Sequence, residues 1–367
     1  MSILIICGEH SGDFHASKLA TSLKHHAPNT KIIGIGGKYL KTVSDTFLCD
    51  IVDLNAIGIL EKLRLSKFKG MYHALDTCLK TKTIKKVILI DFQHHNFKLA
   101  KRIQKENIPI DTFITPNFWM WNDLKQMKKL ASYSTNIFTI FKKEHERYEC
   151  IHPNVHYFGH PLSIQSTLPL SERPKLISIF PGSRVQEIKY LLPTIIQSLD
   201  LIRSQLSPYS VQLSVSSSTH LPLITSILNK HTSLPIDLKE YSSTTLINNS
   251  QLMISCTGTA TLEAVASNTP LLIVGSLSPL TYFVAKHMLK IDLPLAGLPN
   301  IIMNKMVIPE FIQSDLKAPK ISEKIKDILY SPNKYIDCYA QLKEKTFSKW
   351  NPYLESAKII LQDPTTH

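Results

Sequence analysis

Two doubly wound α/β domains, each built on a parallel sheet, are the fold class the sequence predicts, and three observations predict it. The first is length: 367 residues exceed what one hydrophobic core usually supports, so two packed domains are expected. The second is a series of short apolar runs at residues 3–7, 31–35, 87–90, 112–114, 137–140 and 155–158, with helical patterns between them. A strand that reads as an unbroken apolar run is buried on both faces, as in a parallel sheet whose crossovers are helices. The third is that the series restarts, with runs at 176–180, 211–215, 252–255 and 271–274 and helical spacing at 187–199 and 260–267.

Between the two series, Leu168-Pro-Leu-Ser-Glu-Arg-Pro174 breaks the periodicity with prolines and charges, which predicts an interdomain linker. The expected division is a first domain at 1–167, a second at 175–345 and a C-terminal helix at 346–367. In that last stretch Trp350, Leu354, Ala357 and Leu361 are spaced as one helical face, and the helix could cross back onto the first domain. The two domains are expected to face each other across a cleft. In such sheets ligands sit beyond the carboxyl ends of the strands, at the point where the strand order reverses.

Hydrophobic residues make up 43% of the chain and charged ones 19%, which excludes general disorder. Lys and Arg outnumber Asp and Glu by 42 to 29, a net +13. The field of such a surface attracts anions: a nucleotide, a phospholipid or nucleic acid. Cys7, Cys49, Cys78, Cys150, Cys256 and Cys338 show no C-x-x-C pair and are expected as reduced thiols. The opening Met1-Ser-Ile-Leu-Ile-Ile-Cys7-Gly8 lacks a basic region and is expected to be a first strand, not a signal. No apolar run approaches the roughly 18 residues of a membrane-spanning helix, so any membrane contact is expected to be peripheral.

Three strand-to-helix turns carry small and hydroxyl residues, the chemistry with which backbone N–H groups approach a phosphate. The first is Gly8-Glu9-His10-Ser11-Gly12-Asp13, where Glu9, Ser11, Gly12 and Asp13 form a candidate phosphate turn; Ser11 or Asp13 could equally cap the helix. In the second, Phe180-Pro-Gly182-Ser183-Arg184, Gly182 and Ser183 can cradle an oxygen while Arg184 offers a fork of donors to a diphosphate. The third is Cys256-Thr257-Gly258-Thr259-Ala260-Thr261-Leu262-Glu263. There Thr257, Gly258, Thr259, Ala260 and Thr261 would meet phosphate and Glu263 would accept from ribose hydroxyls. Alternatively Thr259 is a cap and Glu263 complements the helix dipole.

Asp91 ends an apolar run and is followed by Gln93, His94, His95 and Asn96. A carboxylate at the open end of a buried strand is a natural general base for a hydroxyl, with His94 or His95 as rivals. Adjacent histidines point apart and lack further ligands, so neither metal nor cofactor is expected. The stretch Lys62-Leu-Arg64-Leu-Ser-Lys67-Phe68-Lys69-Gly-Met71-Tyr72 mixes cations with apolar side chains, as does a segment meeting an anionic bilayer. A solvated helix with one buried side has the same composition. Trp119 and Trp121 fit either core or an apolar pocket. No G-x-x-x-x-G-K-[ST], G-x-S-x-G or D-x-D motif occurs.

Taken in order, Gly8-Glu9-x-Ser11-Gly12-Asp13, Ile57-Gly58-x-x-Glu61-x-Leu63, Pro116-x-x-Trp119-x-Trp121, Phe158-Gly-His160-Pro-Leu162, Pro181-Gly-Ser-Arg184-x-x-Glu187-Ile188, Gly258-x-x-x-x-Glu263 and Leu298-Pro-Asn300 resemble the lipid-A-disaccharide synthase family. The resemblance runs from about residue 3 to about residue 315. It implies the two-domain GT-B architecture and an inverting, metal-independent transfer with no cofactor. The implied substrates are UDP-2,3-diacylglucosamine and 2,3-diacylglucosamine 1-phosphate (lipid X), joined through a β(1→6) bond with release of UDP. It also implies a cytoplasmic enzyme, peripheral on the inner face of a bacterial inner membrane, with an anionic membrane surface and no nucleic acid as partner. Homodimerisation stays open.

The family's catalytic aspartate, arginine and asparagine fall on Asp91, Arg184 and Asn300. Asp91 would take the acceptor proton, Arg184 would offset charge on the leaving diphosphate and Asn300 would orient a substrate. Membrane contact would fall on Lys62, Arg64, Lys67, Phe68 and Lys69. The chain departs from the family where Asp-Ala-Pro-Asp-Phe-Asn becomes Asp91-Phe-Gln-His-His-Asn96 and Phe-Pro-Phe-Glu becomes Phe141-Lys-Lys-Glu144. Two alternatives are a UDP-sugar epimerase or another GT-B transferase with a soluble acceptor, and a non-catalytic basic protein binding lipid or nucleic acid. UDP binding would exclude the last, and loss of lipid dependence would favour the former.

Overall fold

The computed structural model describes residues 1–52, 61–92, 95–116, 118, 123–162, 167–240, 243–275 and 295–362, and the backbone alone at 61–67 and 243. The chain separates into two compact units, Met1–Pro161 with Thr346–His367, and Leu162–Lys345.

The first unit holds strands β1 (Ser2–Cys7), β2 (Lys31–Gly36), β3 (Thr46–Asp50), β4 (Ile84–Ile90), β5 (Ile110–Phe113), β6 (Asn136–Thr139) and β7 (Val155–Tyr157). They form one sheet in the order β3-β2-β1-β4-β5-β6-β7, parallel at every pairing. Its helices are α1 (His10–His26), α2 (Lys38–Val43), α3 (Glu61–Lys80), α4 (Asn96–Ile103), α5 (Leu124–Ala131) and α6 (Lys142–Glu149). The central β1 and β4 are the most apolar runs and are buried on both faces from Ile3 to Cys7 and from Val87 to Ile90. The strand order reverses between them.

The second unit repeats the plan with β8 (Leu176–Phe180), β9 (Ser210–Val215), β10 (Ile236–Glu240), β11 (Leu252–Cys256), β12 (Leu271–Gly275) and β13 (Glu310–Ile312). Their order is β10-β9-β8-β11-β12-β13, again all parallel, and it reverses between β8 and β11. The helices that follow in the chain are α7 (Val185–Asp200), α8 (Leu221–His231), α9 (Ser243–Asn249), α10 (Ala260–Ala266), α11 (Leu298–Met303), α12 (Ala318–Tyr330), α13 (Tyr339–Thr346) and α14 (Pro352–Leu361). On α7 the buried Ile188, Leu191, Leu192, Ile195, Ile196 and Leu199 recur at helical spacing and enter the core of the second sheet. Each such side chain contributes about 1.5–3 kcal/mol by leaving water.

The expected strands are present, and three more stand at sheet edges: β3, β10 and β13. An edge strand is half solvated, so Ile-Asp-Leu-Lys-Glu at β10 carries none of the unbroken apolar signal of a buried strand.

The expected linker is not one. Arg173 is buried and donates to the carbonyls of Leu168, Ser250 and Ser267 and to the hydroxyls of Thr167 and Thr269, at 2.7–3.1 Å. Those five bonds bind 167–174 into the second unit, and the division falls at Pro161/Leu162.

The helix α14 lies against α1 within the first unit, but on a different face from the one spacing suggested. Asn351 caps it by accepting from the amides of Tyr353 and Leu354, and Pro352 occupies its first turn. Trp350 therefore lies outside the helix and is 70% exposed, while Tyr353, Ser356, Ala357 and Ile360 are buried. At its start the Tyr353 hydroxyl meets His15 Nδ1 at 2.7 Å. At its end Lys86 Nζ, buried on β4, donates to the Ile360 carbonyl at 2.6 Å and pairs with Asp111 at 3.4 Å. Among the described residues no helix is long and apolar enough to cross a membrane.

Candidate functional site

Each sheet has its strand-order reversal at its two central strands, and the residues singled out in the sequence gather at those strand ends. In the second unit the turn after β8 enters α7 through Gly182, whose φ of +114° is a conformation that side chains rarely adopt. A methyl group there would lie 2.3 Å from the Glu187 carboxylate. That carboxylate accepts from the amides of Ser183 and Arg184, each at 3.2 Å. Of the pair expected to cradle a phosphate oxygen, Gly182 and Ser183, the Ser183 amide is thus held by a first-turn glutamate, as in a capping box. What the turn leaves toward solvent is the exposed Ser183 and the Arg184 guanidinium, 70% exposed and only 3.5 Å from Glu187 Oε1.

The neighbouring turn after β11 is more open. None of the described residues stands within 4 Å of a side chain built on Gly258, and Thr257, Thr259 and Ala260 are half-buried. Thr261 does not face a ligand: it is fully buried and its hydroxyl donates to the Gly258 carbonyl at 2.6 Å. It closes the turn instead. Glu263 sits one turn into α10, half-buried, with no hydrogen bond to its carboxylate among the described residues. Burial pushes its carboxyl above the usual range, the state of an acid that lacks a donor.

Asn300 is not available for catalysis. It is fully buried on α11, and its Nδ2 donates to the Ile308 carbonyl at 2.8 Å and to Glu310 at 3.0 Å. Its Oδ1 accepts from the amides of Val307 and Ile308, both at 2.8 Å. All four bonds of the amide are spent in closing the path from α11 to β13. Glu310 completes the knot by accepting from the amides of Ala296 and Gly297.

In the first unit, α1 starts directly after Gly8 with extended Glu9 at its cap position and no side-chain cap bond. Glu9 and Ser11 are half-buried, and Gly12 packs close to Cys7 and Ile90. Asp13 departs from the expectation. Buried completely, it accepts from the amides of Gly37, Tyr39 and Leu40 at 2.9–3.0 Å. It caps α2, whose own cap residue is a glycine.

Asp91 follows the last residue of β4, half-buried, with φ +27°. Its amide donates to the Ile114 carbonyl at 3.2 Å, and Ile114, at the end of β5, has φ +61°. Two adjacent strand ends therefore hold non-glycine residues on the left-handed side, where strain of about 1–3 kcal/mol each persists only under tight restraint.

Of the rival bases, His94 lies outside the described residues. His95 has its ring against those of both Phe68 and Phe92, which stand 6.3 Å from each other, and its Nδ1 lies 2.8 Å from the Tyr72 hydroxyl. Phe68 is thereby an interior residue and not a membrane contact; with Met71 and Leu75 it lines the buried side of α3. Lys69 is exposed. The side chains of Lys62, Arg64 and Lys67, the Ile57-Gly58 motif and Trp119 with Trp121 lie outside the described residues.

Two residues at this edge carry stronger physical signals than the sequence suggested. Glu144, buried at the start of α6, accepts from the Thr115 hydroxyl at 2.5 Å and from the amides of Ile140 and Phe141. Burial nonetheless pushes its carboxyl up to about 7. Asn96 is buried, and neither of its side-chain amide atoms has a hydrogen-bond partner among the described residues. Glu144 stands at the position where the family carries glutamate and Asn96 where it carries asparagine; without the fold neither showed what surrounds it.

The family described as Lipid-A-disaccharide synthetase matches residues 3–351. The chain is 29% identical to a lipid-A-disaccharide synthase of Synechocystis sp., over 94% of this chain and 93% of that one. It is 29% identical to that of Coxiella burnetii, over 90% of each. Among solved structures it is similar to a putative UDP-N-acetylglucosamine 2-epimerase from Listeria monocytogenes, with TM-score 0.67 at 10% identity, covering 98% of this chain and 94% of that one. It is also similar to MurG of Acinetobacter baumannii, with TM-score 0.59 at 10% identity, covering 98% and 99%. At such identities the likeness shows the fold alone, that of GT-B glycosyltransferases and epimerases. The sequence match says more: this chain belongs to the lipid-A-disaccharide synthetase family and is a glycosyltransferase of lipid A biosynthesis.

Proposed function

We propose that the protein transfers 2,3-diacylglucosamine from UDP-2,3-diacylglucosamine to the hydroxyl of 2,3-diacylglucosamine 1-phosphate, forming the β(1→6) disaccharide 1-phosphate and UDP. One observation carries the nucleotide assignment: the ends of the adjacent strands β8 and β11 present an exposed Arg184 and a Glu263 with no hydrogen-bond partner among the described residues, beside the backbone of Gly258, which those residues leave open. The ribose hydroxyls donate to Glu263, and Arg184 answers the diphosphate with charge-assisted bonds. Thr257, Thr259, Ala260 and Ser183 line the same turns.

The chemistry is one displacement at the anomeric carbon. The acceptor oxygen forms the new C–O bond as its proton passes to the Asp91 carboxylate, and the bond to the UDP oxygen breaks with its electron pair leaving on the diphosphate. Attack from the face opposite the leaving group inverts the configuration. The growing diphosphate charge is offset by Arg184.

Both substrates carry acyl chains, so the enzyme works where lipid is presented, peripheral on the inner face of the bacterial inner membrane. The run of cations Lys62, Arg64, Lys67 and Lys69 in the sequence supplies the charge that anionic headgroups attract there. Incubation of the protein with both acylated glucosamines tests this function by mass spectrometry: disaccharide phosphate and UDP are expected together. UDP released without disaccharide, or the donor returned as its epimer, overturns it.

A further inference from the structure

We propose that His95 is a positioning residue: through Phe92 it holds Asp91 in the backbone conformation from which its carboxylate takes the acceptor proton. The proposal rests on the assignment of Asp91 as base.

A non-glycine residue at φ +27° stays there only if both flanks are pinned. On one side Asp91 is continuous with β4, whose Ile90 is paired with Cys7 and Phe113. On the other side stands Phe92, 4% exposed. One edge of its ring lies so close over Gly8 that a methyl group there would be 2.1 Å from a ring carbon. His95 stacks on Phe92 at 4.6 Å between centroids and 22° between planes, and on Phe68 of α3 at 4.2 Å and 22°. The three rings form one cluster, with Phe68 and Phe92 themselves 6.3 Å apart, and the Tyr72 hydroxyl at 2.8 Å fixes the rotation of the imidazole against them. Tyr72 is itself held, with the Arg102 guanidinium 4.7 Å over its ring and Arg102 paired to Asp76.

Phe92 also closes the turn behind Asp91, its carbonyl accepting from the amides of His95 and Asn96 at 3.0 and 2.9 Å. Rotating the backbone at Asp91 out of its present conformation would pull Phe92 from between Gly8 and His95. The stack thus transmits the rigidity of α3 to the strand end. It is built from Phe92 and His95, which stand where the resembling family carries alanine and phenylalanine, so the coupling belongs to this chain.

A double-mutant cycle on the full-length protein tests it, with disaccharide formation followed under saturating substrates and folding checked by circular dichroism. His95→Gln is expected to lower kcat on the order of 10- to 100-fold, the effect of misplacing a reacting group, with the KM for the UDP-sugar unchanged. His95→Phe, which restores the stack without the imidazole, should recover most of the loss. In the Asp91→Asn background His95→Gln should add nothing, because there is no base left to position. Multiplicative losses in the double variant, a His95→Phe enzyme as impaired as His95→Gln, or parental kcat in His95→Gln each overturn the proposal while Asp91→Asn is inactive. Parental turnover in Asp91→Asn itself overturns the base assignment and this proposal with it. If His95→Gln does not fold, Tyr72→Phe takes its place in the same cycle with the same two outcomes.

Discussion

Glu263 is the residue whose environment speaks most directly for a ligand, since a half-buried carboxylate with no donor among the described residues is expensive unless something else supplies the hydrogen bond. Glu263→Ala should therefore weaken UDP binding, measured by calorimetry, while the far-ultraviolet circular dichroism stays parental; unchanged affinity in the folded variant removes it from the site. Glu144 makes a different prediction, about stability. Its carboxyl is raised to about 7 from 4.5, so the native state binds the proton more tightly than the unfolded chain does. Its contribution is fully present below pH 4.5 and is lost as pH rises through 7, a change of about 3 kcal/mol at 1.36 kcal/mol per unit. Denaturant titrations at pH 5 and 7.5 should show this loss in the parent and not in Glu144→Gln; equal slopes in the two proteins refute it. His15 and His160 oppose it on the acid side. Burial lowers them to about 4 and about 3, so stability present above pH 6.5 falls as pH drops toward those values. The residue types of Glu263, Asp91 and Arg184 were legible in the sequence as motif positions. That Asn300, Asp13 and Thr261 spend their polar atoms inside the fold was not, because a motif records which donors exist and not which acceptors they meet.

Among the elements, α14 shows how a segment distant in sequence completes a unit. Lys86 is an interior lysine on β4 that serves the carbonyls of Ile360 and Gln362 at the end of α14 and the Asp111 carboxylate. Burial pushes Asp111 up and Lys86 pulls it back. Lys86→Met should cost about 3–5 kcal/mol at pH 7, the loss that follows when one charge of a buried pair is left alone. The penalty should shrink at acid pH, where Asp111 can neutralise itself with a proton. Urea unfolding at pH 7 and pH 5 reads both effects, and a variant as stable as the parent at pH 7 would show that the pair contributes nothing net. Hydrogen exchange should also quicken at 357–361, where the helix end loses its donor. Spacing alone announced a helix here but turned its buried face the wrong way. The Asn351-Pro352 start is a local cap that stands in the sequence itself, whereas the Tyr353–His15 bond depends on what the helix meets.

For the whole molecule, the net charge of +13 and the exposed cations bear on where the enzyme works. Changing Lys62, Arg64, Lys67 and Lys69 to Ser should release the protein from anionic liposomes in a sedimentation assay, since each cation near such a surface contributes about 1 kcal/mol. Raising the salt concentration should do the same to the parent; a variant that sediments like the parent ends the assignment of that stretch to the bilayer. Much of this molecule was settled by the chain itself. Unbroken apolar runs at β1, β4, β8, β11 and β12 require burial on both faces, which dictates parallel sheets with helical crossovers, and the order of the turns places anion-ready residues at the strand ends. The same runs leave half-solvated edges without a signal, so β3, β10 and β13 emerged only with their partners beside them. Tertiary structure alone decided which of the candidate side chains remain open. Arg184 and Glu263 keep unspent capacity, whereas Asp13, Thr261 and Asn300 are consumed as a cap, a turn closure and a knot. A polar group is available to a substrate only when the fold has left it unsatisfied, and that is a property of its neighbours in space.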